Sequence, residues 1–192
     1  MDFNKRNNKF ETIELAYKDY YNLLYNYGFK FIPNPDIVED IIQEIFIKLC
    51  RQGDELNIDN IKTYLLRSVK NSAYDYYSSK KEIISIDEID FIIPEDEEAF
   101  KKFLSEDEDK TEMYKRVIES IKKLPSQQKQ ILYLYYIKDL SHKEISEILE
   151  INVQSSMNTL ARAIKKLRTM LVEKNYGIIE LMNIIMFLKL YN

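Results

Sequence analysis

Tryptophan is absent from this 192-residue chain, and cysteine and histidine occur once each, as Cys50 and His142. A single cysteine excludes an internal disulfide and fits a reducing cytoplasm. No zinc-type Cys/His spacing can be built, so no metal site is expected, and His142 reads as an exposed residue at a helix start. There is no glycine-rich phosphate loop and no nucleophile elbow, so neither an enzyme nor a bound cofactor is expected. The opening MDFNKRNNKF has no apolar run of the kind a secretory signal needs. Only three Gly and four Pro favour an all-α fold, and fifteen Tyr and nine Phe supply much of the core in place of Trp. The length suits one or two small domains.

Charge is unevenly spread. Residues 82–112 carry thirteen Asp/Glu against three Lys, whereas residues 113–192 carry thirteen basic and seven acidic residues. Residues 1–81 balance at twelve of each sign. The overall charge of −4 therefore hides a positive C-terminal part, and an acidic pI does not argue against a polyanionic partner. The acidic stretch contains Pro94 and no sustained period, and reads as a flexible linker between a domain over 1–81 and another over 113–172. Ile83-Ile84-Ile86 and Phe91-Ile92-Ile93 are short apolar clusters within it. They dock on a domain or a partner, or else the whole stretch is a solvated tether, the reading that composition favours. Its acidity would also let it mimic nucleic acid in a basic channel.

Residues 124–168 carry the most specific pattern: two short helices, a three-residue turn and a third helix ending in cations. This is the helix-turn-helix plan, whose last helix enters the DNA major groove. Ser126 is expected to cap the first helix, along which Ile131, Leu134, Tyr135 and Ile137 fall at roughly helical spacing. Ser141 and Glu144 are spaced as a capping box, and Asn152 caps the helix starting at Val153. On that last helix Val153, Met157, Leu160, Ile164 and Leu167 form an apolar stripe. Gln154, Ser155, Asn158, Thr159 and Arg162 face away from it as candidate base-reading groups, followed by the phosphate-binding Lys165, Lys166 and Arg168. A solvated polar face is the plainer alternative for that helix.

Upstream, Phe10, Ile13, Leu15, Tyr17, Tyr20, Tyr21, Leu24 and Tyr25 predict an aromatic helix that stops near Tyr27-Gly28. Pro33 and Pro35 break the chain, and Asp36 and Glu39 are spaced as a second capping box. In DIVEDIIQEIFIKLCR, Ile37, Ile41, Ile45 and Leu49 or their neighbours are expected inside, with Asp40, Gln43, Glu44 and Lys48 on other faces. After a turn over 52–59 comes NIKTYLLRSVKNSAYDYYSSKK. Its Tyr64, Arg67, Lys70, Asn71, Tyr74 and Tyr77 combine cations with flat rings, as single-stranded nucleic acid sites do. Tyrosines at such spacing also serve simply as core.

In this order the motifs resemble a bacterial RNA polymerase sigma factor of the extracytoplasmic-function (ECF) group in the sigma-70 family. The resemblance covers residues 10–81 and 113–172. It implies that DIVEDIIQEIFIKLC docks on the clamp of the polymerase's largest subunit through Asp40, Gln43, Glu44 and Phe46. It implies that NIKTYLLRSVKNSAYDYY captures the opened minus-10 element through Tyr64, Arg67, Lys70 and Asn71. It further implies that the 124–168 unit reads the minus-35 element through Gln154, Ser155, Asn158, Thr159, Arg162, Lys165 and Lys166, beside the polymerase flap. The chain would then be a non-catalytic initiation factor whose partners are core polymerase, promoter DNA and, in some members, an anti-sigma factor. The wording of SHKEISEIL and RAIKKLR is closest to Bacteroidetes versions. A helix-turn-helix regulator that binds duplex DNA without polymerase is the alternative.

Two features depart from the family pattern. A glycine commonly begins the turn between the two reader helices, and here Glu150 stands there, which predicts strain of about 1 kcal/mol or a differently shaped turn. The reader helix is also less basic than many, with Ser155, Ser156 and Asn158 at its front. Beyond the family core, residues 173–192 hold an apolar tail, too short and polar to span a bilayer. It is expected to fold as a helix on the reader domain, with an anti-sigma dock and membrane-surface contact as alternatives.

Overall fold

The computed structural model describes residues 3–51, 60–80, 89–92 and 108–172, and these are helices and their connections, with no strand among them. The chain divides into two compact units, Met1–Ile89 and Asp90–Asn192. The first holds α1 (Phe3–Phe29), α2 (Pro35–Arg51) and α3 (Ile61–Ser79). The second holds α4 (Glu108–Lys122), α5 (Ser126–Leu132), a π-helical turn at Tyr133–Ile137, α6 (His142–Leu149) and α7 (Val153–Val172). The apolar tail lies outside the described residues, as do the 52–59 turn and Ile83, Ile84, Ile86 and Ile93.

In the first unit each helix packs on the other two. Helix α1 ends at Phe29, next to the stop expected near Tyr27-Gly28. Gly28 does not have a positive φ. Gly28 matters instead for closeness: a Cβ added to it would lie 2.9 Å from Val38 Cγ1 and 3.2 Å from Val69 Cγ1. The missing side chain lets α1 press against both neighbours. The inward residues are Ile13, Ala16, Leu24 and Tyr27, whereas Leu15 is exposed. Tyr17, Tyr21, Tyr25 and Phe29, spaced by four, form a ladder of rings along one side of α1 at centroid separations of 5.3, 6.2 and 6.1 Å.

Helix α2 opens by a different cap from the one expected. Asn34 Oδ1 accepts from the Ile37 amide at 3.4 Å, Pro35 takes the first helical position, and Asp36 sits inside the first turn. Proline suits that position because its missing N–H would have no intrahelical acceptor. The buried stripe is Val38, Ile42, Ile45, Phe46 and Leu49, so Ile37 and Ile41 are the flanks rather than the centre.

In the second unit α7 packs on α4, α5 and α6. Pro125 precedes α5 without a side-chain cap; Ser126 lies inside the helix, where its Oγ accepts from Gln130 Nε2 at 3.2 Å. The π-turn adds a residue to the helical circuit, so adjacent Tyr133 and Leu134 both point inward, and Tyr135 and Ile137 are left half-buried. Burial pushes the Tyr133 hydroxyl well above the ordinary tyrosine range.

The solvated-tether reading fails at residues 89–92. Phe91 is fully buried, its ring 5.4 Å from that of Tyr133. Beside it Asp90 pairs with Lys129, whose side chain is almost wholly covered. Burial of a lysine requires such a partner, so Asp90 and Phe91 of the acidic segment are built into the C-terminal unit.

Candidate nucleic-acid interface

Helices α6 and α7 are tied together by their caps. Ser141 and Glu144 form the expected capping box, with Glu144 Oε2 accepting from the Ser141 amide at 2.8 Å and the Ser141 hydroxyl accepting from the Glu144 amide at 3.3 Å. Glu150 does adopt the left-handed conformation that glycine commonly supplies, at φ 57 and ψ 42. The Ile151 amide donates to the Ser146 carbonyl at 3.0 Å, the long bond of a Schellman cap. The turn thus keeps its ordinary shape despite the glutamate. Asn152 Oδ1 then accepts from the Ser155 amide at 2.7 Å and starts α7.

The inward face of α7 is Ser156, Thr159, Leu160, Ala163, Leu167 and Leu171, which keeps Leu160 and Leu167 of the expected apolar stripe, leaves Ile164 half-buried and puts Val153 and Met157 outside. Ser156 is fully buried, and its Oγ lies 2.9 Å from Nδ1 of His142. His142 is half-buried rather than exposed, and its ring stacks on Tyr135 at 4.8 Å. Thr159 is buried too, and its Oγ1 accepts from Arg162 at 2.9 Å. It therefore supports the arginine instead of facing outward as the sequence reading had it. Val153 and Met157, both expected inside, are 42% and 46% exposed. Small residues inward explain this shift of the buried face, because they let α7 lie close to the helices beneath it.

Gln154, Asn158, Arg162, Lys165 and Lys166 are exposed, and Ser155 is half-buried. Gln154 Nε2 donates to Asn158 Oδ1 at 2.9 Å, so the two amides form one preset unit. Helix α7 carries four cations and no carboxylate, and its outer face suits a polyanion.

On α3, Tyr64, Arg67 and Asn71 share a half-buried face, and the Arg67 guanidinium stands 6.0 Å from the Tyr64 ring centre. Lys70 is buried at 4% exposure, with its Nζ 5.7 Å from the Tyr74 ring centre, so it is not on that face. Tyr74 packs edge-on against Phe31, and the Tyr77 hydroxyl donates to the Phe31 carbonyl at 2.9 Å. Both of these tyrosines hold the unit together.

On α2, Asp40, Gln43 and Glu44 are exposed, whereas Phe46 turns inward against Tyr17 at 4.9 Å. Its inward turn follows from the buried stripe, which takes Phe46 beside the expected Ile45 and Leu49. Ile47, 48% exposed, completes the outer face. Sequence reading passed over it because an isoleucine in an apolar run looks like core.

Among the described residues no cluster of His, Cys, Asp and Glu could hold a metal ion, and no helix is long and apolar enough to cross a membrane. The family description Sigma-70 region 2 matches residues 16–83, and Sigma-70, region 4 matches residues 114–167. The ECF RNA polymerase sigma factor SigM of Bacillus subtilis is 24% identical over 159 residues, spanning 83% of this chain and 94% of that protein. RNA polymerase sigma factor SigV of the same organism is 27% identical over 161 residues, 82% of this chain and 87% of its own. RNA polymerase sigma factor FliA of Escherichia coli is 43% identical over a shorter 56 residues, 29% of this chain and 23% of its own. The Bacteroidetes hint finds no support among these relatives. With both regions present in order and the helical units that carry them in place, the chain belongs to the sigma-70 family of RNA polymerase sigma factors, in its ECF group.

Proposed function

We propose that this chain directs core RNA polymerase to promoters by contacting DNA at two places. The outer face of α7 reads the minus-35 duplex, with Gln154 and Asn158 on base edges and Arg162, Lys165 and Lys166 on phosphates. The Tyr64–Arg67–Asn71 face of α3 receives the opened minus-10 strand, where a ring and a guanidinium offer stacking surfaces to unpaired bases. The outer face of α2, from Asp40 through Gln43 and Glu44 to Ile47, docks on the clamp of the largest polymerase subunit. Nucleotide transfer stays with the polymerase, in the cytoplasm where it works.

The observation that carries this reading is the exposed, carboxylate-free face of α7 in a chain that also holds a sigma-70 region 2 unit. Run-off transcription from a promoter library, with core polymerase and the full chain, tests it. Discrete products that require both partners support it; duplex binding that core polymerase does not alter would favour an independent regulator.

A further inference from the structure

An exposed valine and an exposed methionine on the DNA-facing helix need an explanation that packing does not give. The core of the unit takes Ser156, Thr159 and Ala163 from α7 and leaves Val153 and Met157 outside. Met157 stands directly before Asn158 and three positions after Gln154, which places it on one flank of the amide pair. Arg162 lies on the other flank, held there by Thr159. The helix offers cations on the same surface and no carboxylate, which fits a duplex rather than an apolar protein partner.

We propose that Met157 and Val153 read thymine methyl groups, so that the minus-35 reader selects A·T pairs; this rests on the minus-35 reading above. Thymine is the base that presents a methyl in the major groove. A methionine is flexible and polarisable enough to cover one without exact register. The amide pair gives the same preference. Gln154 Nε2 spends one of its two hydrogens on Asn158 Oδ1, which leaves the Gln154 carbonyl oxygen as an acceptor beside the Asn158 NH2 donor. One acceptor beside one donor matches adenine, which shows an N6 donor and an N7 acceptor. Guanine shows two acceptors and leaves the Gln154 oxygen unmatched.

The test uses holoenzyme assembled from core polymerase and the full chain. A random duplex library in the upstream position yields the preferred element, which is then made with deoxyuridine in place of thymidine in that element alone. The exchange removes the methyl and nothing else. Affinity is expected to fall about fourfold for each methyl covered by an apolar side chain. Met157→Ala should bind the thymidine duplex more weakly and lose most of the penalty for uridine, and Arg162→Ala should keep that penalty. Equal wild-type affinity for both duplexes, or an undiminished penalty in both Met157→Ala and Val153→Ala, would overturn the proposal. If the library yields a preferred element and uridine is neutral, methyl reading alone fails. If it yields no upstream preference at all, the minus-35 reading fails and takes this proposal with it.

Discussion

His142 Nδ1 and Ser156 Oγ lie 2.9 Å apart, and this contact fastens α6, which carries the capping box, to α7. The serine is fully buried, so its hydroxyl has no water to turn to in place of the imidazole, which is stacked on Tyr135. Ser156→Ala should therefore destabilise the chain by about 1 kcal/mol, the usual net worth of such a bond. Urea denaturation of the full chain measures it. A change near zero would mean the contact contributes nothing to holding α6 on α7.

Glu150 offers the opposite sign. Its left-handed backbone at φ 57 is strained for any residue with a Cβ. Glu150→Gly should stabilise the chain by about 1 kcal/mol in the same assay, and a loss of stability would show that the glutamate side chain contributes more than the strain costs.

Gly28→Ala is expected to be destabilising by about 1–3 kcal/mol, because the added methyl meets Val38 Cγ1 at 2.9 Å and the interior has little room to yield. In a solvated helix the same exchange would be stabilising, so the sign of the shift in denaturation midpoint decides between the two environments.

Phe91 separates a docked segment from a tether. Truncation to alanine should cost about 3 kcal/mol, as for other fully buried phenylalanines. A change within about 0.5 kcal/mol, typical of exposed positions, would return residues 89–92 to solvent.

How far the sequence could be read follows from which signals are local. The Ser141–Glu144 box and the Asn152 cap were legible because a cap depends on residues three apart in the chain. The element types and the exposed Gln154, Asn158 and Arg162 followed from spacing in the same way. On α7 Leu160 and Leu167 were legible as inward, but the edge of the buried face was not, since close helix approach favoured Ser156, Thr159 and Ala163 over the more hydrophobic Val153 and Met157. Phe46 and Ile47 were exchanged for the same reason: a run of apolar residues does not show which one touches Tyr17. The burial of Lys129 had no signal at all, because its partner Asp90 is 39 residues away in a segment that composition marks as a linker.

Phosphate contacts have their own signature in salt. Arg162→Ala should weaken holoenzyme binding on every promoter and lower the slope of log affinity against log salt by about one. Loss confined to one promoter would instead make Arg162 a base reader.

The central claim is that this chain gives polymerase its choice of promoter, and the most direct test is run-off transcription with core enzyme plus and minus the chain. The account predicts discrete products only when both are present, abolished by scrambling either the minus-35 or the minus-10 element. Products unchanged by the chain, or insensitive to both elements, would contradict it.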